Sequence, residues 1–582
     1  INIVIRMKVG CTLKMLRHWL LPLVVIHTTI QHLTSQAYDR AYAAIPPTVN
    51  TSCGQMQGVW DPVYPGVASF LGIPFAAPPV GELRWRPPKE PSCWTSNTTF
   101  HATQQQPACV QFRNEDVPQS ESCLFLNVFT TRVTNSTRVA PNTHDTPAPH
   151  NTTDAKHDRL ELVPVLVWVY GGGSVDGSTT SYGDIQSVVP NMKGDVVLVA
   201  ISYRLGSFGY LALKELSVTD PRGVSGNYGV MDVQQSLRWV QRNIVAFGGD
   251  PRRVTVFGQS SGGTQVLALL ASPSSNGLFS SAMSLSGSPN ISMPLATMED
   301  QGRDLVNAVG CDHHPNLLEC MYAQNTSMLK FSTPSYWSYE GDFDSDTKTP
   351  HPVHYPGLVI VDGVTITVPL EKALARALVD VPMLFSSMQA ELGCDPDKMA
   401  WHSPTDFDDF CSSQFVKWNN NASEVISTLY ATTAHANASF AYATLNSDTG
   451  VSCGNAKLAV LAGKAFKSPV YLAVNTHWPS VGSTPTHTFP FHTFDTTCAF
   501  ETWEKHNIAP HHSDILYGAT LRSVWFTLAT HGRLPPEFTP ITAASGFPTS
   551  YNTLLLDENI SVARNFKTNA CNGLARLGLD EK

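Results

Sequence analysis

The sequence predicts an α/β fold: a mostly parallel central sheet with helices on both faces. Two observations carry this. The first is a series of short, continuous apolar runs, Val165–Tyr170, Val196–Ile201, Val254–Phe257, Pro382–Phe385 and Val470–Val474. Runs of this length without alternation suit parallel strands buried on both faces. The second is a helical stripe between two of them. Val230, Val233, Leu237, Val240 and Ile244 recur at spacings of three and four, and the stripe stops at Gly248-Gly249. Strand and helix in alternation imply an α/β sheet.

Composition narrows the function. The 582 residues are 42% hydrophobic, enough for a large core, and only 15% charged. Net charge is −9, from 38 basic and 47 acidic residues. A broad nucleic-acid partner would call for a basic surface, so none is expected. Twelve cysteines are too many to ignore and too sparse for a small disulfide scaffold.

The chain opens at Ile1. Residues 1–14 read as upstream sequence and 15–37 as a secretory signal: Arg17, the apolar run Trp19–Ile26, then small residues around Ser35-Gln36-Ala37. Nine N-x-[ST] sequons, at Asn50, Asn97, Asn135, Asn151, Asn290, Asn325, Asn421, Asn437 and Asn559, agree with export and glycosylation. The polar end Leu577–Lys582 offers neither a span nor an apolar anchor signal. The product is therefore expected to be secreted, with no stable membrane anchor. Residues 46–576 read as a single domain. Residues 131–159, rich in Thr, Asn, His and Pro without an apolar face, read as a disordered, glycosylated insertion.

The chemistry centres on Gly258-Gln259-Ser260-Ser261-Gly262. The run Val254–Phe257 precedes it and a helical stretch, Thr264–Ala271, follows. This is G-x-S-x-G in a strand–turn–helix setting, where a sharp turn projects the serine hydroxyl from the sheet edge. A second element is Tyr170-Gly171-Gly172-Gly173, three glycines directly after a buried strand. Bare backbone there can bring N–H donors to the oxyanion of an acyl-transfer intermediate. Each element alone could be an inert loop; together they point to a serine acyl-transfer site.

At these residues the sequence resembles a family. Phe70–Gly81 with Leu83-Arg84-Trp85 is similar to the N-terminal signature of type-B carboxylesterases and cholinesterases. Glu121–Asn127 resembles that family's second signature, with Ser122 in place of its usual Asp. Ser202-Tyr203-Arg204-Leu205-Gly206, Gly226-Asn227-Tyr228-Gly229 and Phe247–Pro251 follow in order. The resemblance implies an α/β-hydrolase fold and ester hydrolysis, with Ser260 as nucleophile and Gly172, Gly173 and Ser261 as oxyanion donors. Val381–Glu391 resembles the strand that delivers the family's acid, with Glu391 at its position. For the base, the histidines after Glu391 are His402, His435, His477, His487, His492, His506, His511, His512 and His531. The family's H-x-x-D/E pattern is met by His511–Asp514, which selects His511, with His512 the runner-up. On this register the segment leading to the helix around Trp525 is shorter than the family's.

The resemblance also implies disulfides Cys109–Cys123 and Cys311–Cys320, and Cys453 resembles a family cysteine bonded near the C-terminus, which suggests Cys571. Cys53–Cys93 and Cys394–Cys411 are further pairings; with Cys11 in the segment expected to be removed, Cys498 is left over. Cys311-Asp312-His313-His314 has no second cluster with ligand spacing, so no metal and no cofactor are expected. The substrate is expected to be a small-molecule or lipid ester, neutral esters being preferred. Cholinesterases hold a cation on a tryptophan in the loop before their second signature. Here Arg113 falls at that position, Gln259 replaces the family's glutamate before the nucleophile, and Met293 replaces an acyl-pocket tryptophan. Other readings are a cholinesterase or lipase-like member and a non-catalytic adhesion module.

Overall fold

The computed structural model describes residues 45–94, 98–112, 117–133, 161–334, 337, 358–391, 403–415, 421–480, 489–547 and 550–579. The expected signal segment, almost all of the 131–159 insertion, Arg113, Cys394, His402, His487 and the sequons at Asn97, Asn135 and Asn151 lie outside them.

An 11-stranded sheet organises the molecule. Its strands are β1 (Val59–Trp60), β2 (Ala68–Pro74), β3 (Phe125–Thr130), β4 (Val163–Val169), β5 (Val197–Ile201), β6 (Gly249–Gln259), β7 (Ser281–Leu285), β8 (Met383–Met388), β9 (Val470–Asn475), β10 (Asn552–Leu556) and β11 (Ile560–Arg564). The spatial order is β11-β10-β9-β8-β7-β6-β4-β5-β3-β2-β1. From β5 through β4 to β10 neighbours are parallel, and antiparallel strands close both edges. All seven residues of β4 and all five of β5 are buried. That is why these segments read as unbroken apolar runs.

Helix α1 (Tyr228–Asn243) carries the apolar stripe anticipated from the sequence, and Gly248 closes the following turn at φ 82°. Several family-like motifs act as struts for the sheet. Arg84 makes a two-pronged bond to Glu121 at 2.7 and 2.6 Å, pinning the first signature to the second. Arg204 does the same to fully buried Asp232 on α1, at 2.7 and 2.8 Å. Each buried charge is thereby matched by an opposite one, without which burial would be strongly unfavourable.

A second, smaller core lies beside the sheet. Helices α3 (Pro404–Phe415), α4 (Ala422–Ala436), α5 (Ala438–Ser447) and α9 (Thr568–Arg576) gather Phe407, Ile426, Tyr430, Tyr442 and Leu574. The disulfide from Cys453, at the start of α6 (Cys453–Ala465), to Cys571 ties this cluster together, and Cys53–Cys93, Cys109–Cys123 and Cys311–Cys320 are also formed. The anticipated Cys394–Cys411 bridge is corrected: Cys411 is a free, buried thiol whose pKa burial pushes up to about 12. Cys498 is likewise free and buried. The bridge at Cys311 consumes the sulfur a metal would need.

Candidate active site

The site is built at the carboxyl ends of β4, β6, β8 and β9. At the end of β6, Ser260 adopts φ 58° and ψ −130°, a conformation that costs an L-residue on the order of 1–3 kcal/mol. Helix α2 (Ser261–Leu270) starts at the next residue. The strain is sustained by close packing. A Cβ on Gly258 would lie 2.5 Å from Gly262 backbone, and one on Gly262 would lie 2.1 Å from Val169 O. Only glycine fits on either side of the serine, which is the physical content of G-x-S-x-G.

The glycine turn after β4 lies against Ser260. A Cβ on Gly171 would sit 2.7 Å from Ser260 Cβ. Gly172 and Gly173 take φ 123° and 63°. A Cβ on Gly172 would collide with Asp176 at 2.3 Å. Val175 and Asp176 N–H both donate to Gly172 O, and Ser174 N–H donates to Ser261 Oγ at 2.9 Å. The turn is thus locked to the start of α2, whose first N–H groups have no partner within the helix. Gln111, from the Cys109–Cys123 loop, brackets Gly177 with bonds in both directions and braces the turn from outside.

Glu391 follows β8 and is completely buried. Its Oε1 accepts from Met388 N–H at 2.6 Å, and its Oε2 accepts from His492 Nδ1–H at 2.7 Å. His492 N–H donates to Glu391 O at 3.0 Å, so acid and imidazole are fixed by backbone and side chain together. On its other side, His492 Nε2 lies 3.1 Å from the amide nitrogen of Gln259, the residue just before Ser260. The imidazole is therefore held between the buried carboxylate and the serine turn.

The histidine chosen from the sequence is not the one at Glu391: His492 holds that place and His511 does not. His511 is exposed and sits at the N-cap of α8 (His512–His531); its N–H donates to Asp514 Oδ2 at 2.8 Å. Its H-x-x-D spacing is a helix-capping device, in which the acid at the third helical position closes back on the cap. Both Glu391 oxygens are engaged elsewhere. His512, the runner-up, is exposed on the first turn of α8. The signal for His492 was present: His492-Thr493-Phe494-Asp495 repeats the same spacing, and starting there lengthens the segment before Trp525 by nineteen residues (511 − 492).

Asp495 was also missed. It is fully buried at the start of α7 (Phe494–Phe500), and its Oδ2 has no hydrogen-bond partner among the described residues. Burial, then the nearby charge of Glu391, push its carboxyl up to about 7. Tyr182 is the third residue missed; it bridges Gly171 and Gln259.

With this geometry, the relatives are informative. A family model described as the carboxylesterase family matches residues 45–532. The chain belongs to the carboxylesterase family. It is 39% identical over 259 residues to a fumonisin B1 esterase of Sphingopyxis macrogoltabida, covering 43% of this chain and 41% of that one. It is 32% identical over 406 residues to a liver carboxylesterase of Sus scrofa, covering 66% and 64%. An acetylcholinesterase of Electrophorus electricus is 34% identical over 303 residues, covering 48% and 43%. The chain thus spans about two fifths to just under two thirds of the length of these relatives. A solved structure titled PNB esterase superposes with a TM-score of 0.65, over 91% of this chain and 100% of that one, at 24% identity. That likeness concerns the α/β-hydrolase fold. No helix among the described residues is long and apolar enough to cross a membrane.

Proposed function

We propose that this family member hydrolyses carboxylic esters through an acyl-enzyme, with Ser260 as nucleophile, His492 as general base and Glu391 as its orienter. The observation that carries the reading is the His492 imidazole suspended between buried Glu391 and the turn that presents Ser260. Ser260 Oγ attacks the ester carbonyl carbon while His492 Nε2 takes the hydroxyl proton. The tetrahedral oxyanion is met by the N–H groups of Gly172, Gly173 and Ser261. Its collapse breaks the acyl C–O bond, and His492 returns the proton to the leaving alcohol. Water, deprotonated by His492, then attacks the acyl-serine; the acid leaves and Ser260 regains its proton.

Neutral esters are the favoured substrates. The residue just before Ser260 is Gln259, whose amide beside the imidazole carries no charge, so the attraction for a cation that a carboxylate at that position would exert is missing. Arg113, the other residue behind this expectation, lies outside the described segments. Met293 is half-buried against the main core.

Export is supported by the four disulfides, which persist in oxidising compartments. It is supported too by exposed sequons at Asn50, Asn325, Asn421, Asn437 and Asn559. Asn325 and Asn437 cap helices through Oδ1, which leaves Nδ2, the atom a glycan would use. Asn290 differs: it is half-buried, lines a cavity of about 200 Å³, and accepts from Ser292 of its own sequon.

The test is a serine-reactive phosphonate and an ester panel on the secreted protein. Labelling at Ser260, with butyrylcholine turned over no faster than 3,3-dimethylbutyl butyrate, is the expected result. Folded protein that resists the phosphonate would mark a non-catalytic binding module.

A further inference from the structure

A proton inventory around the base fixes more than its position. Gly171 N–H, which can only donate, points to Tyr182 Oη at 3.2 Å. Tyr182 Oη therefore accepts there and gives its own hydrogen to Gln259 Oε1, 2.6 Å away. Burial, the larger influence, pushes the Tyr182 phenol far above its ordinary value, so it remains a neutral donor at any working pH. With Oε1 accepting, the amide nitrogen of Gln259 faces His492 Nε2 as a donor. An N–H cannot bond a nitrogen that already carries hydrogen, so Nε2 must present its lone pair. The ring hydrogen then belongs on Nδ1, where Glu391 Oε2 receives it. A flipped amide would aim two donors at Tyr182 Oη and, with the single ring hydrogen held on Nδ1 by Glu391, set Oε1 against the Nε2 lone pair.

Resting on the catalytic reading above, we propose that Gln259 is a positioning residue: with Tyr182, it relays the direction of the Gly171 N–H to His492 and locks its imidazole in the Nδ1–H tautomer required of the base. A glutamate, which the wider family usually carries before its nucleophile, cannot do this. A carboxylate only accepts, so it would draw a hydrogen onto Nε2 and favour the doubly protonated ring. At rest Gln259 keeps Nε2 unprotonated without adding charge, and its N–H yields that single lone pair when Nε2 takes the Ser260 proton. Among the described residues, the titratable groups that face the ring include Glu391 and Asp495, and Lys505 lies over the Tyr182 ring, 5.1 Å from its centroid.

The test pairs a direct readout with a kinetic one. Nitrogen NMR of histidine-labelled protein, with the His492 signal assigned through His492→Gln, reports the tautomer without requiring turnover. Wild type at pH 8 is expected to show hydrogen on Nδ1 alone. Gln259→Glu is expected to retain a doubly protonated ring to higher pH and to move the acidic limb of kcat/KM upward by on the order of one pH unit. Tyr182→Phe, which frees the amide to flip, is expected to mix tautomers and lower kcat several-fold with KM little changed. Hydrogen on Nε2 of neutral wild-type His492 overturns the proposal outright, even if no variant folds. An unmoved acidic limb in folded Gln259→Glu also overturns it. Phosphonate labelling of Ser260 in the same samples separates the two ideas: labelled protein with the wrong tautomer sinks the relay and leaves the esterase reading intact.

Discussion

The segment from β4 to β7 and the segment from β8 to α8 contribute the two halves of one site, and they are built on opposite plans. In the first, Ser260 and the glycine turn beside it follow directly on buried parallel strands, and their geometry is enforced by contacts that leave no room for a Cβ at Gly171, Gly258 or Gly262. In the second, Glu391 and His492 lie 101 residues apart in the chain. The helical core of α3, α4 and α5 intervenes, and helix-capping histidines compete for the same pattern. A local device leaves a local signature. A non-local pair leaves only a residue type and a spacing, which other structural duties can imitate.

The largest expected effect lies in the local half. Ser260→Ala should lower kcat/KM by about 10⁴–10⁶ with secretion nearly intact, because the turn is held by glycines that remain. Ester turnover by purified variant and wild type checks this, and activity within tenfold of wild type removes Ser260 as nucleophile.

The non-local half should be weaker in stability. Cys453→Ser with Cys571→Ser should cost about 2–5 kcal/mol in unfolding free energy, since a bridge that closes so long a loop restricts the unfolded chain strongly. Denaturant unfolding followed at two sites would read it. The α3–α5 cluster should open before the β4–β7 core, and simultaneous loss would mean that the two regions form one cooperative unit.

A smaller effect concerns Asp495. Its folded pKa of about 7 lies above that of an exposed aspartate, so the folded state binds the proton more tightly than the unfolded state. The stability this provides is complete below about pH 4 and is lost as pH rises through 7. Asp495→Asn should flatten that part of the stability curve. Thermal unfolding between pH 4 and 8, compared for the two proteins, checks the sign; an unchanged slope removes Asp495 from the account.

Legibility in the sequence follows the same division. Val165–Tyr170, Val196–Ile201 and Val254–Phe257 could be read because strands buried on both faces have no polar alternation to confuse them. The turn at Ser260 could be read because positions 258 and 262, two residues away on each side, must be glycine. Glu391 could be read because a buried strand, β8, delivers it. His492 escaped because His511-His512-Ser513-Asp514 presents the same spacing for another reason, the closure of a helix N-terminus. Tyr182 and Gln259 had no signature as a pair, since what unites them is the direction of three hydrogen bonds. Cys411 was misassigned because a thiol packed as a small apolar side chain looks in sequence like one that has a partner; this one is packed in the helical core.

The central claim is that the imidazole paired with Glu391 and Ser260 belongs to His492. It is tested most directly by measuring kcat/KM for one neutral ester in His492→Ala, His511→Ala and His512→Ala, each with its folding checked by thermal melting. His492→Ala is expected to fall by about 10⁴-fold or more with a nearly unchanged melting temperature. His511→Ala and His512→Ala should stay within a few-fold of wild type, with at most about 1 kcal/mol lost at the α8 N-terminus. An active His492→Ala beside an inactive, folded His511→Ala would contradict it.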